Sequence, residues 1–179
     1  MTQPGIRYGQ ALYELALDEG LTGEILGQLQ VLQGSLAAEP GFVRLLSAPN
    51  ISKEERCAVV DKSFRDRVHP YVLNFLKILT QRGYIRHFAD CCKVFAEYYD
   101  RDNGILRVCA ITAVPLTQEQ SARLTQKLGI ITEKTVVLTN CTDSSCLGGV
   151  RLRYDGKQVD STLQQRLETV GTMLRNTVL

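Results

Sequence analysis

Along the first hundred residues the apolar positions recur with the period of a helix. Tyr8, Ala11, Leu12 and Leu15 share one side of a stretch from about Gly5 to Asp18, and Gly20 ends it. Ile25, Leu29, Leu32 and Leu36 stand at i, i+4, i+7 and i+11 of a second stretch. Pro40-Gly41 breaks the chain before a short helix from Phe42 to Leu46, and Pro49-Asn50 forms a loop. Ser52-Lys53-Glu54-Glu55 then reads as a capping box, a serine oxygen for the third helical amide and a glutamate reaching back. It opens a helix carrying Val59, Val60 and Phe64. Pro70 suits the first turn of the next helix, because its missing N–H has no partner to lose there. That helix buries Val72, Phe75, Leu76 and Leu79, and Gly83 closes it. A sixth runs from about Arg86 to Arg101 with Phe88, Cys92, Phe95 and Tyr99 inward.

After Asp102-Asn103-Gly104 the period changes from 3.6 to 2. Ile105 to Val114 is β-branched and aliphatic and predicts a strand. Thr117 and Gln120 form a second capping box, opening a helix with Leu124 and Leu128 that Gly129 ends. Thr135 to Thr139 predicts another strand. Val150, Leu152 and Tyr154 alternate with Arg151 and Arg153, Asp155-Gly156 signals a two-residue turn, and Lys157 to Val159 returns. Ser161, with Gln164 three residues on, caps a last helix striped by Leu163, Leu167, Val170, Leu174 and Val178. The expected fold class is α+β. A six-helix bundle over residues 1–104 precedes a small mixed α/β domain over 105–179, with a β-hairpin and a terminal helix.

Composition narrows the function. Net charge is +2. Residues 1–103 hold 12 basic and 13 acidic side chains and residues 104–179 hold 9 and 6, so only the C-terminal part is mildly basic. That falls short of the basic stripe that nucleic acid demands. There is no membrane-spanning apolar run, no signal peptide and no Arg-rich transit segment. The expectation is a chain that stays where it is made. The six cysteines at 57, 91, 92, 109, 141 and 146 lack the knuckle spacing of a zinc site, with only His69 and His87 to assist. They are expected to be reduced, metal-free and used as small apolar groups.

No phosphate-binding loop, nucleophile elbow, zinc-protease motif or dinucleotide fingerprint occurs, so neither catalysis nor a cofactor is expected. Gly148-Gly149 reads as a strand entry or bulge, or as a site of close approach by a partner. Arg151 and Arg153 read as the polar face of a strand, or as ligands of an acidic partner. The helix at 70–82 is apolar on more than one side, through Leu73, Phe75, Leu76, Ile78 and Leu79. Such a helix is either central in its bundle or lines a groove.

Four segments in register resemble the delta subunit of F-type ATP synthases, the family that includes the mitochondrial oligomycin-sensitivity-conferring protein. They are Arg7-Tyr8-Gly9-Gln10-Ala11-Leu12, Asn74 to Ile85, Ile111 to Gln120, and Leu147-Gly148-Gly149 through the hairpin to Asp160-Ser161. The resemblance spans nearly the whole chain. It implies a non-catalytic adaptor in the peripheral stalk, joining the alpha/beta catalytic head to the b subunits. It further implies that the first and fifth helices form a groove for the N-terminal helix of an alpha subunit. Residues Tyr8, Ala11, Leu12, Leu15, Asn74 and Ile78 would line it. Gly148, Gly149, Arg151, Arg153 and Asp160 become candidates for facing the stalk. The missing transit segment then implies the cytoplasmic face of a bacterial plasma membrane, with membrane association only through the complex. Two departures from the family pattern stand out: Gly9, where alanine is usual, and the polar run Thr142 to Cys146. An RNA-binding helical module and a thiol-based enzyme are the alternatives from other classes. The nearly neutral N-terminal region speaks against the first, and a reactive low-pKa cysteine would be required for the second.

Overall fold

A computed structural model describes residues 2–146, 148–154 and 156–160. Six helices come first: α1 (Gln3–Asp18), α2 (Thr22–Ala38), α3 (Pro40–Leu46), α4 (Lys53–Phe64), α5 (Pro70–Gln81) and α6 (Phe88–Asp102), with a single 3₁₀ turn at Ile85–His87 before α6. The sheet elements follow: β1 (Ile105–Thr112), α7 (Gln118–Thr132), β2 (Thr135–Thr142), β3 (Val150–Tyr154) and β4 (Lys157–Asp160). The expected helix from Ser161 lies outside the described residues. Two compact units part between Asp100 and Arg101.

The helix boundaries follow from their caps. Thr2 caps α1 by accepting the Gly5 amide at 3.4 Å, so the helix begins two residues earlier than the apolar period predicts. Both predicted capping boxes are present. The Ser52 oxygen takes the Glu55 amide at 3.2 Å while Glu55 takes the Ser52 amide at 3.1 Å. The Thr117 oxygen takes the Gln120 amide at 3.2 Å while Gln120 takes the Thr117 amide at 2.9 Å. Gly129 does not end α7. The helix runs three residues further and stops at Glu133, whose φ of 55° is the one left-handed non-glycine conformation among the described residues.

One core draws on α1 to α6, with Ile25, Leu29, Leu46, Leu76, Leu79, Ile85 and Phe95 at its centre. Tyr13 stands edge-on to Phe95 at a centroid distance of 5.3 Å. Tyr99, expected inside, is only half-buried. α1 approaches α6 closely at Gly5 and again at Gly9. A Cβ at Gly9 would lie 2.6 Å from the Cys91 carbonyl oxygen and 2.9 Å from the Val94 Cβ. Gly9 is therefore one place where the two helices come together, and the helix propensity lost there is offset by that contact. Arg56 is a buried cation. Its Nη1 donates to the Leu46 carbonyl at 3.0 Å and its Nε to the Ser52 carbonyl at 3.4 Å, tying α4 to the end of α3.

The sheet has strand order β2-β1-β3-β4. β1 and β2 are parallel, so their connection must cross over, and α7 supplies the crossover. The other two pairings are antiparallel. Leu106, Val108 and Ala110 of β1 are buried and sit in register with Val136, Leu138 and Asn140 of β2. Asn140 fastens the loop entering α7. Its Oδ1 accepts the Leu116 amide at 2.8 Å, and its Nδ2 donates to the Ala110 carbonyl and the Thr112 hydroxyl, each at 2.9 Å. β1 ends two residues earlier than predicted and β2 runs three residues longer, with Asn140 bonded both to β1 and to the loop that follows it.

Candidate partner-binding surface

Helices α1 and α5 are linked near both ends. Tyr8, in the first half of α1, packs against Tyr84, just beyond α5, at a ring distance of 5.8 Å. Glu19, at the other end of α1, accepts the hydroxyl of Tyr71 in the first turn of α5, and this bond pushes the Tyr71 phenol above its ordinary range. The start of one helix meets the end of the other, so the two run antiparallel.

Between those contacts each helix carries a second stripe. On α1 it is Tyr8, Ala11 and Leu15. On α5 it is Tyr71, Asn74 and Ile78. Both sets stand at i, i+3 and i+7. Leu15 is 39% exposed and Ile78 44%, with Ala11 and Asn74 exposed beside them. Tyr8 is half-buried. Leu12 differs from the other five predicted residues. At 5% exposure it belongs to the core beneath the stripe, with Leu73 and Leu76. The first stripe of α5 is already satisfied, since Val72, Leu73, Phe75, Leu76, Leu79 and Thr80 are all buried. Ile78 is apolar surface beyond what the core uses. Tyr71 and Tyr84 were missed as members of this surface. Tyr71 was legible as the i−3 neighbour of Asn74, whereas Tyr84 lies past the helix end, where periodicity says nothing.

The second predicted set sits on the sheet. Gly148 and Gly149 form the bend before β3, and Gly149 has a φ of 87°, which a side chain would strain. In register, Arg151 stands opposite Ile111 of β1 and Asp160 of β4, and Arg153 opposite Cys109 and Gln158. Arg153 is exposed and Arg151 half-buried. The polar run before the glycines is an Asx turn. Asp143 accepts the Ser145 amide at 2.9 Å, and the Cys146 amide returns to the Asp143 carbonyl at 3.1 Å. Cys146 is wholly buried and anchors this turn. The Ser145 hydrogen bonds come first in holding the Asp143 carboxyl below its usual range, with the Arg151 charge a smaller contribution.

Among the described residues no three His, Cys, Asp or Glu side chains gather as a metal site would need, and no helix is long and apolar enough to cross a membrane. Comparison with known proteins gives the family. The ATP synthase delta (OSCP) subunit family matches residues 5–174. The ATP synthase subunit delta of Alkaliphilus oremlandii is 32% identical over 94% of this chain and 93% of its own length. That of Clostridioides difficile is 28% identical over 96% of each. A chain in the cryo-EM structure of the Toxoplasma gondii mitochondrial ATP synthase hexamer superposes with a TM-score of 0.75 over 97% of this chain and 98% of that one, at 18% identity, which speaks for the fold. The chain belongs to the ATP synthase delta (OSCP) subunit family, and is a non-catalytic component of the peripheral stalk, associated with the membrane through the complex.

Proposed function

We propose that residues 1–104 hold the catalytic head and residues 105–179 the b subunits of the stalk, so that the six-helix bundle and the sheet unit form one clamp. The turning rotor exerts torque on the head, and a subunit that grips head and stalk at once resists it. Two modest interfaces on one chain act through effective concentration, so neither needs to be tight by itself. The working place of this clamp is the cytoplasmic face of a bacterial plasma membrane.

The observation that carries the head-binding half is the second stripe. Ala11 and Leu15 on α1 and Asn74 and Ile78 on α5 are exposed between the two linked ends of an antiparallel helix pair. The occupant is the amphipathic N-terminal helix of an alpha subunit, the helix-in-groove mode of recognition. Leu15 and Ile78 supply apolar contact, Ala11 permits close approach, and Asn74 offers a polar anchor. On the sheet, Arg151, Arg153 and the Gly148-Gly149 bend, with Asp160 in register, face the stalk.

The test is a bulky residue at Ala11, which is exposed and so outside the core. Ala11→Trp in the full chain should fold as the parent does and bind an alpha-subunit N-terminal peptide roughly tenfold more weakly, about 1.4 kcal/mol. Titration calorimetry measures the affinity and circular dichroism the folding. Unchanged affinity would move the site elsewhere. For the domain division, limited proteolysis should cut near Gly104 and leave a folded helical fragment; scattered cuts through residues 1–100 would refute it.

A further inference from the structure

Cys57 is half-buried on α4, its thiol 3.8 Å from the Lys77 carbonyl, and the other five cysteines divide into two kinds. Cys91, Cys92 and Cys146 are buried, and burial pushes the Cys91 and Cys92 thiols up to about 12, where they are inert. These follow the expectation of small apolar fillers. Cys109 and Cys141 do not. Cys109 on β1 is half-buried and Cys141 on the neighbouring parallel strand β2 is exposed, with their Sγ atoms 3.3 Å apart. They are diagonal neighbours, because Cys109 pairs in register with Thr139 and Cys141 with Ile111. Both lie on the face opposite Leu106, Val108 and Ala110, alternating with those buried residues as strand geometry requires. Across β1 on the other side, Arg153 stands in register with Cys109. The row across the sheet therefore runs Thr139, Cys109, Arg153, with Cys141 in the next row on the same face, beside Ile111 and Arg151.

We propose that Cys109 and Cys141 are an oxidant-responsive thiol pair that closes reversibly into a disulfide between β1 and β2 when a hydroperoxide reaches the exposed Cys141. A disulfide needs its sulfurs at about 2.05 Å, so the gap between the two Sγ atoms has to shrink by little more than 1 Å. Cys141 attacks first, because it is the accessible member. Its sulfur bonds to one peroxide oxygen, the O–O bond breaks, and the other oxygen leaves as an alcohol, or as water from hydrogen peroxide, carrying the Cys141 proton. The product is a sulfenic acid at Cys141. Cys109 then attacks that sulfur. The S–S bond forms, the S–O bond breaks, and hydroxide leaves with the Cys109 proton as water. Two thiols lose two protons and two electrons in all, and the peroxide is reduced. Cys109 suits the second role. It donates its S–H to Cys141, and that hydrogen bond, followed by partial burial, keeps the proton on it, with Arg153 pulling the other way. Having Cys109 in reach spares Cys141 from irreversible oxidation. The proposal is independent of how α1 and α5 bind the head.

Hydrogen peroxide added near stoichiometry to the full chain, followed by alkylation and peptide mass mapping, tests it. The expected product links the tryptic peptide Val108–Arg123 to Thr135–Arg151 with loss of two hydrogens, and dithiothreitol reverses it. Because Thr135–Arg151 also contains Cys146, the same link should form undiminished in Cys146→Ala. In Cys109→Ser the link is lost and the share of Cys141 recovered as sulfinic acid rises several-fold. Recovery of both thiols alkylated in the parent protein would overturn the proposal. So would sulfinic acid at Cys141 beside an unreacted Cys109, or a link that disappears in Cys146→Ala.

Discussion

The helical unit and the sheet unit are stabilised differently. Helices α1 to α6 each contribute to one continuous core, in which Ile25, Leu29, Leu46, Leu76, Leu79, Ile85 and Phe95 are among the side chains almost wholly sealed from water. In the sheet unit, α7 has no buried residue, and its Leu124 and Leu128 are only half-buried. Burial concentrates there on β1, in Leu106, Val108, Ala110, Ile111 and Thr112. Among the described residues the first unit is thus held by volume filling and the second by strand register and the hydrogen bonds of Asn140. The difference bears on function. A helix pair whose core is already complete leaves Leu15 and Ile78 exposed, and it is on these that the proposed partner would dock. A sheet with one open face can carry charged and thiol chemistry there without disturbing its fold.

The sharpest way to break this comparison is to remove one large side chain from each unit. Phe95→Ala should cost about 3–5 kcal/mol, as removal of a buried aromatic does. Leu124→Ala, half-buried on α7, should cost under about 1.5 kcal/mol. Urea unfolding gives the sizes, and peptide-resolved hydrogen exchange gives the places. Phe95→Ala should speed exchange across α1 to α6 and leave β1 and β2 near the parent rate. Equal acceleration in both would mean the chain unfolds as one body and the contrast is false.

A smaller effect separates two glycines of the same unit. Glycine to alanine usually stabilises a helix interior by up to about 1 kcal/mol. Gly34→Ala on α2 should do so, because nothing lies within 4 Å of the added Cβ. Gly9→Ala should do the opposite, by about 1–3 kcal/mol. Its Cβ meets a backbone oxygen of α6 at 2.6 Å, which cannot turn aside as a long side chain would. Denaturation midpoints for the pair decide it. Stabilisation by Gly9→Ala would mean that α1 and α6 are packed more loosely than the backbone positions require.

Gly9 also shows where the sequence stops being legible. Its helical period, its neighbours and the family resemblance were all readable, yet its use depends on Cys91 and Val94, more than eighty residues away. The same holds elsewhere. Both capping boxes were legible because every atom in them lies within four residues. The parallel pairing of β1 with β2 was not, because a strand's pattern names its buried face and not its neighbour. For the same reason Cys109 and Cys141 read as two isolated thiols, and only the register brings them together. The second stripe on α5 was visible in Leu73, Phe75, Ile78 and Leu79 as an excess of apolar residues. Which of them the core would claim was not visible, and Leu12 on α1 went to the core although its spacing matched the exposed set.

The smallest expected effect concerns the fastening of α1. The Thr2 hydroxyl and amide donate to the Asp90 carboxylate of α6 at 2.7 and 3.0 Å. The hydroxyl bond first, then the amide bond, holds the Asp90 carboxyl below its usual range, against a smaller opposing effect of burial. The sign follows from proton counting. A depressed folded-state pKa means the unfolded chain binds more protons in that window, so stability rises with pH there. The contribution is complete above the ordinary aspartate value of about 3.9 and disappears as pH falls through the lower folded value. Asp90→Asn has no charge to titrate. The parent should therefore be more stable than Asp90→Asn at about pH 6, and by less at a pH below the ordinary aspartate value of about 3.9. Amide exchange in the first turns of α1, corrected for its intrinsic pH dependence, should show the same convergence, while β1 shows none. A difference of the same size at both pH values would assign the bond to shape alone, with charge playing no part.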